Sequence, residues 1–271
     1  MGRKILLNGK LVKNQITIPV LSTALNYGKG FFETILYENH KLYFYNSHIK
    51  RLEETCTTLS IDYDFETLSP EKIYMLINKN GDMDKVLRVK ILYFPLVKEE
   101  WDTCVYTVDY NRETEPMTIC GHYEERERFF ANFKTTSYFE NVYWRDFYSR
   151  RYKVDEVLFR NTGNNFVEGS YTNLFCVKDR VLFCPDINND FLKGIMYTKI
   201  LKNYRAIGFE EIYHKRQGIR DSFIKGADEV FLTNSLFIAR SVGMFFDTTK
   251  NRYYKLMGRS WARKIRDFFL V

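Results

Sequence analysis

His48 and Arg51 stand three residues apart in a stretch where Ile49, Leu52, Cys56 and Leu59 recur at helical spacing. An imidazole and a guanidinium so placed share one helix face and can act together, and the guanidinium fork suits phosphate oxygens. Gly194-Ile195-Met196 opens a second predicted helix, whose unpaired N–H groups favour a dianion. The cysteines (Cys56, Cys104, Cys120, Cys176 and Cys184) are odd in number, widely spaced and without a CxxC pair. That pattern argues against zinc and against a disulfide framework, and predicts no metal and reduced thiols in a core. Taken singly, Lys134 reads as one solvated lysine among many, and Glu168 as a loop glutamate beside a Gly-Ser turn.

These side chains sit in a chain of 271 residues with 41 Lys+Arg against 34 Asp+Glu, a formal charge of +7. Only 14 Gly and 5 Pro are present, too few for a collagenous or low-complexity chain. The length suits one large domain or two modest ones. Basic charge with 20 Tyr, 23 Phe and 3 Trp raises nucleic acid as a first suspicion. However, the run Tyr123-Glu124-Glu125-Arg126-Glu127-Arg128-Phe129 alternates in sign and reads as a solvated surface. The basic last helix, with Arg259, Arg263, Lys264 and Arg266, carries Trp261, Ile265 and Phe268 as a docking stripe. No RNP, KH or zinc-finger pattern is present. The first apolar run stops at Asn8, short of a signal peptide, and no run reaches the ~18 apolar residues of a membrane span. A cytoplasmic protein without membrane or nucleic-acid partners is expected.

The elements that must position the candidate groups are legible from local signals. Ile5–Leu7, Asn8-Gly9 and Lys10–Val12 predict a type I′ hairpin. Phe31–Leu36 and Leu42–Tyr45 read as strands, Ser47 as a helix N-cap, and Ser69-Pro70 as the start of a helix ending before Gly81. Val86–Phe94 alternates as a strand, with Arg88 and Lys90 on one face. A polar stretch ending in Pro116 predicts a linker at 111–116, between a domain over 1–110 and another over 117–271. The second contains strands at Met117–Tyr123, Glu156–Phe159, Asn173–Val177, Val181–Cys184 and Asp228–Leu232, and helices after Ser137 and from Gly194 to Gly208. Strands clustered with helices in both halves predict two α+β domains.

Six segments in order resemble the class IV aminotransferases, the fold-type IV pyridoxal-phosphate enzymes. They are Gly28-Lys29-Gly30-Phe31-Phe32-Glu33-Thr34, His48–Leu52, Phe133–Thr136, Val167–Phe175, Leu192–Met196 and Ala227–Ser235. The resemblance spans almost the whole chain. It implies a small N-terminal α/β domain, a larger C-terminal domain carrying the Schiff-base lysine, and an active site between them in a homodimer.

By the same resemblance Lys134 is the Schiff-base lysine and moves the substrate's α-proton, and Glu168 pairs with the pyridinium nitrogen, keeping it protonated. Arg51 matches the phosphate arginine; Ile195 and Met196 would offer helix-start N–H groups, and Ser235 and Thr233 hydroxyls. Tyr138 is the candidate for the cofactor's 3-oxygen, one residue before the position branched-chain members use, where this chain has Phe139. His48 and Asn173 match supporting residues, and Phe32 would line the substrate pocket. Arg88 or Arg240 could meet a substrate carboxylate. Departures lie at Lys29, at Leu25-Asn26 and at Ala239-Arg240-Ser241-Val242, and Pro95–Glu99 lacks the Arg-x-His clamp of D-amino-acid transaminases. The resemblance thus implies amino-group transfer between an amino acid and a 2-oxo acid. Its alternative is 4-amino-4-deoxychorismate lyase chemistry, with loss of pyruvate. A basic binding protein on the same scaffold is the remote reading.

Overall fold

The computed structural model describes residues 2–97, 100–126, 130–185, 191–258 and 260–270. The chain divides into two units, Met1–Arg112 with Phe133–Ser137, and Glu113–Asn132 with Tyr138–Val271.

The first unit contains β1 (Lys4–Leu7), β2 (Lys10–Lys13), α1 (Thr23–Tyr27), β3 (Phe31–Glu38), β4 (Lys41–Leu42), α2 (Tyr45–Thr58), α3 (Pro70–Lys79), β5 (Leu87–Val97) and β6 (Glu100–Asp109). The strands form one antiparallel sheet in the order β2-β1-β6-β5-β3-β4. Asn8 and Gly9 both have positive φ, 48° and 73°, as a type I′ turn requires. Ile35, Tyr37, Val89 and Ile91 share a core with Leu52 and Cys56 of α2 and with Ile73, Leu76 and Ile77 of α3. Side chains alternate along a strand, so Phe32 and Thr34 take the opposite face from Glu33 and Ile35.

Two expectations are corrected in this unit. The strand expected over Leu42–Tyr45 stops at Leu42, and α2 begins at Tyr45, which places Ser47 inside its first turn. The cause is Phe44, whose φ of 57° puts it in the left-handed region and breaks the strand before any cap is needed. The segment around Lys134, expected in the larger C-terminal domain, groups with the first unit. Phe32 N–H donates to the Lys134 carbonyl at 2.9 Å and Thr136 N–H to the Gly30 carbonyl at 2.8 Å, so the segment adds to the β3 edge that β4 is too short to cover.

The second unit contains β7 (Met117–Glu125), α4 (Phe139–Tyr152), β8 (Glu156–Arg160), β9 (Phe166–Gly169), β10 (Asn173–Lys178), β11 (Val181–Pro185), α5 (Ile195–Ile207), β12 (Glu211–Lys215), α6 (Asp221–Gly226), β13 (Glu229–Asn234), β14 (Ile238–Asp247), β15 (Arg252–Lys255) and α7 (Ser260–Phe269). Its sheet runs β12-β11-β10-β13-β14-β7-β8-β9, with β15 on β14. A further pairing, Asn173 with Glu168, joins β10 to β9 and closes six of these strands into a ring. Leu158, Phe166, Leu174, Val230, Leu232 and Phe245 are among the residues of its core.

The last helix corrects the expected stripe. Ala262 and Ile265 are buried, whereas Phe268 is 40% exposed. The N–H groups of Trp261 and Ala262 donate to the Glu229 carboxylate at 2.9 and 3.0 Å, which fixes the rotation of α7 with the alanine inward. Trp261 instead stacks on Phe209 at 4.2 Å. Arg126 is not solvated, because its guanidinium lies 3.5 Å from the centre of the Phe159 ring and its side chain is 7% exposed. Glu127, Arg128, Phe129 and Arg259 lie outside the described residues, as do Lys98 and Glu99.

Candidate active site

In the first unit the pair His48 and Arg51 meets a third group that the sequence motif contained but did not single out. Glu33, on β3, accepts from Arg51 Nε at 2.7 Å and Nη2 at 2.6 Å, and from His48 Nδ1 at 2.6 Å. Burial alone would raise the Glu33 carboxyl, but Arg51 and His48 outweigh it and hold the group far below the usual carboxylate range. Burial likewise disfavours the imidazolium, so His48 is the neutral Nδ1–H tautomer. Its buried Nε2 has no hydrogen-bond partner among the described residues. A bidentate fork on a buried carboxylate fixes the Arg51 plane without spending side-chain freedom later. The signal for Glu33 was its i+2 position in Phe31-Phe32-Glu33, which places it on the core face opposite Phe32.

On that opposite face lie Lys134 and Phe32. The Lys134 ammonium sits 4.4 Å from the centre of the Phe32 ring, and that of Lys90 sits 3.6 Å from the same centre. Lys90 also donates to Thr34 Oγ1 at 3.1 Å, its cross-strand neighbour. Arg88 is half-buried two residues earlier, and its buried Nε has no hydrogen-bond partner among the described residues. The turn before β3 is made by Gly28, the C-cap of α1 with φ 65°, where an added Cβ would stand 2.7 Å from Ser137 Oγ. Thr136 Oγ1 donates to the Gly28 carbonyl at 2.5 Å, so this glycine fixes the Lys134 segment as well as the strand.

In the second unit, Glu168, Asn173 and Thr233 form one row across β9, β10 and β13. All three are buried. Leu192 N–H donates to Glu168 Oε2 at 3.2 Å, and Asn173 Nδ2 donates to the Leu192 carbonyl at 2.9 Å. Gly194, the N-cap of α5, lies directly against the Asn173 amide, and an added Cβ would collide with Asn173 Oδ1. The Ile195 and Met196 side chains are buried in the core, which leaves their backbone N–H groups to serve at the helix start. Ser235 is half-buried in the turn after β13. In that turn Asn234 Oδ1 accepts from the N–H groups of Leu236 and Phe237 at 2.9 and 3.0 Å. Tyr138 is half-buried at the N-cap of α4.

Sequence reasoning missed Glu156. Its fully buried carboxylate accepts from Val157 N–H, Ser170 N–H and Ser170 Oγ at 2.8, 3.0 and 2.6 Å, and from Thr172 Oγ1 at 2.9 Å. It thereby shapes the turn that separates Glu168 from Asn173, and burial raises its carboxyl. Nothing local marked it, since its side-chain donors, Ser170 and Thr172, lie 14 and 16 residues away. Arg240 donates to the Glu115 carbonyl at 2.5 Å and to Glu113 at 2.7 Å, partners with which a substrate carboxylate would compete. The five cysteines are free and buried, and burial pushes Cys56 and Cys104 up to about 11.

The second unit's row suits a molecule with a cation at one end and a phosphate at the other, as the resemblance implies. Glu168 supplies the carboxylate, and two strands away, about 10 Å at ordinary strand spacing, Thr233 Oγ1 is buried with no hydrogen-bond partner among the described residues. Such a hydroxyl costs folding energy unless a ligand satisfies it.

The comparisons agree with this chemistry. The chain is 26% identical to D-alanine aminotransferase of Staphylococcus aureus (strain N315) over 251 residues, 86% of this chain and 85% of that one. Its fold is that of branched-chain aminotransferase from Thermoproteus uzoniensis, with a TM-score of 0.86, 21% identity, and coverage of 100% and 94%. A Legionella pneumophila protein assigned as a 4-amino-4-deoxychorismate lyase shares it at a TM-score of 0.79 and 20% identity, with 94% and 95% covered. The sequence model of amino-transferase class IV matches residues 30–243, most of the chain. The chain belongs to the amino-transferase class IV family.

Proposed function

We propose that this protein is a pyridoxal-phosphate-dependent aminotransferase that moves an amino group between an amino acid and a 2-oxo acid. The observation that carries the reading is the row of Glu168, Asn173 and Thr233 beside the start of α5, a carboxylate and an unsatisfied hydroxyl set two strands apart. Bound there, pyridoxal phosphate supplies the electron sink that makes the substrate's α-proton removable. Lys134 holds the cofactor covalently and, once released, carries the proton to and from the substrate's α-carbon. Glu168 keeps the proton on the ring nitrogen. Arg51, held in plane by Glu33, serves the phosphate with Thr233, Ser235 and the N–H groups of Ile195 and Met196. Tyr138 serves the 3-oxygen, and Phe32 and Arg88 face the substrate.

The test is direct. The purified protein should show a visible absorbance band, and borohydride reduction should leave the label on Lys134, located by peptide mass spectrometry. A colourless protein that takes up no pyridoxal phosphate would refute the reading. The lyase reading is favoured by one observation, the shared fold with the Legionella protein. Pyruvate release from aminodeoxychorismate, measured beside a panel of amino donors and 2-oxo acids, decides between them.

A homodimer accompanies the proposal. Val20, Leu21, Leu25 and Tyr27 form an exposed apolar segment, with Leu21 91% exposed, which a second copy would cover. Among the described residues no helix is long and apolar enough to cross a membrane. Buried free thiols suit a reducing cytoplasm.

A further inference from the structure

Lys90 is a cation of the first unit that the site described above leaves without a role. It lies on the exposed-edge face of β3 and β5, half-buried, with its ammonium on the Phe32 ring that Lys134 also approaches. Among the described residues no carboxylate pairs with it. Its neighbours are Thr34 on β3, Arg88 on its own strand, Tyr106 paired across on β6 and Lys134, while Glu33 acts through the sheet but is committed to Arg51 and His48. A lysine fixed by one hydroxyl and one ring face keeps two N–H donors for another acceptor.

We propose that Lys90 takes the carboxylate of the substrate whose reacting carbon lies at Lys134, an assignment that rests on the aminotransferase reading above. Both ammoniums sit within 4.4 Å of one ring centre, so a small molecule with its reacting carbon at the Lys134 amine has Lys90 within reach of its acid group. The substrate class this favours is a carboxylate whose acid group adjoins the reacting carbon. Burial, together with Lys134 and Arg88 and against Glu33, brings Lys90 down to about 7. An arriving carboxylate therefore draws a proton onto Lys90 when the solution stands above that value.

The test titrates hexanoate and the uncharged hexanamide into the cofactor-loaded protein by calorimetry, for wild type, Lys90→Met, Lys90→Gln and Lys90→Arg. Loss of one charge-assisted hydrogen bond should weaken hexanoate about 10- to 100-fold in Lys90→Met and Lys90→Gln. Lys90→Arg should bind within about threefold of wild type, and hexanamide should be unaffected throughout. Either neutral variant binding hexanoate as wild type does, with its visible band intact, would overturn the assignment. Absence of that band in wild type would instead refute the cofactor reading, so the two failures are distinguishable.

Discussion

Glu33→Gln removes the charge from the buried carboxylate and keeps its shape. In the native protein that carboxylate accepts three charge-assisted hydrogen bonds, two from Arg51 and one from His48, none longer than 2.7 Å. The glutamine can accept with its carbonyl, but its NH2 must then face Arg51 or His48, both donors. The arginine, 14% exposed, loses the charge of Glu33. Breaking a buried pair from one side typically costs about 3–5 kcal/mol. At about 2–4 °C per kcal/mol for a chain of this size, the midpoint of thermal unfolding should fall by roughly 6–20 °C. Adding Arg51→Met removes the stranded charge, so the double variant should recover part of the loss, leaving a coupling of at least about 1 kcal/mol.

The same residue predicts a pH dependence. The folded carboxyl lies below its ordinary value of 4.5, so its stabilisation is present above 4.5 and is lost as pH falls toward the lowered folded value. Glu33→Gln lacks that loss, and the gap between wild type and variant should narrow below pH 4.5 by up to about 1.4 kcal/mol per unit. Urea unfolding, followed by far-UV circular dichroism at several pH values, measures both effects. A variant within about 1 kcal/mol of wild type at pH 7 would show that Arg51 finds another counterion and that Glu33 does not fix its plane.

Three further outcomes follow from the second unit. Gly194→Ala puts a Cβ against Asn173 Oδ1, and should lower pyridoxal phosphate affinity about tenfold as Asn173 leaves Leu192, read by equilibrium dialysis; unchanged affinity would show that Asn173 moves at no cost. Thr233→Val removes a buried hydroxyl that has no partner, so the cofactor-free protein should unfold no earlier than wild type while cofactor affinity falls about tenfold. Equal affinity in that variant removes Thr233 from the phosphate site. Glu156→Gln turns an NH2 toward either Ser170 or Thr172, which bond to different carboxylate oxygens, and should cost about 2 kcal/mol. Because burial raises Glu156, its contribution is complete below its ordinary value of 4.5 and declines as pH rises through the raised folded value, so the variant should also lose that slope in urea unfolding.

What the chain determined locally was legible without any tertiary knowledge. Asn8-Gly9, Asp179-Arg180, Ser69-Pro70 and Gly208 act through backbone dihedrals and missing donors of their own residues, and the hairpins, the start of α3 and the end of α5 fall there. The motif segments belong to the same class, since each is a short run whose residue types already fit a strand end or a helix start. Phe44 marks the limit of that reading, because a left-handed phenylalanine is an unfavoured local choice that only packing can enforce.

Tertiary structure decided the rest, because the groups concerned are far apart in sequence and meet only when strands register. Glu33 reaches His48 and Arg51 across 15 and 18 residues, and Glu156 organises a turn 14 residues on. Lys134 is stitched to Phe32 across a hundred residues by a backbone hydrogen bond that no side-chain pattern encodes. Arg240, a plausible carboxylate partner on its own, is claimed by Glu113 and Glu115. A sequence fixes which charges exist; desolvation and pairing, which depend on the folded neighbourhood, decide which of them still have a hand to offer.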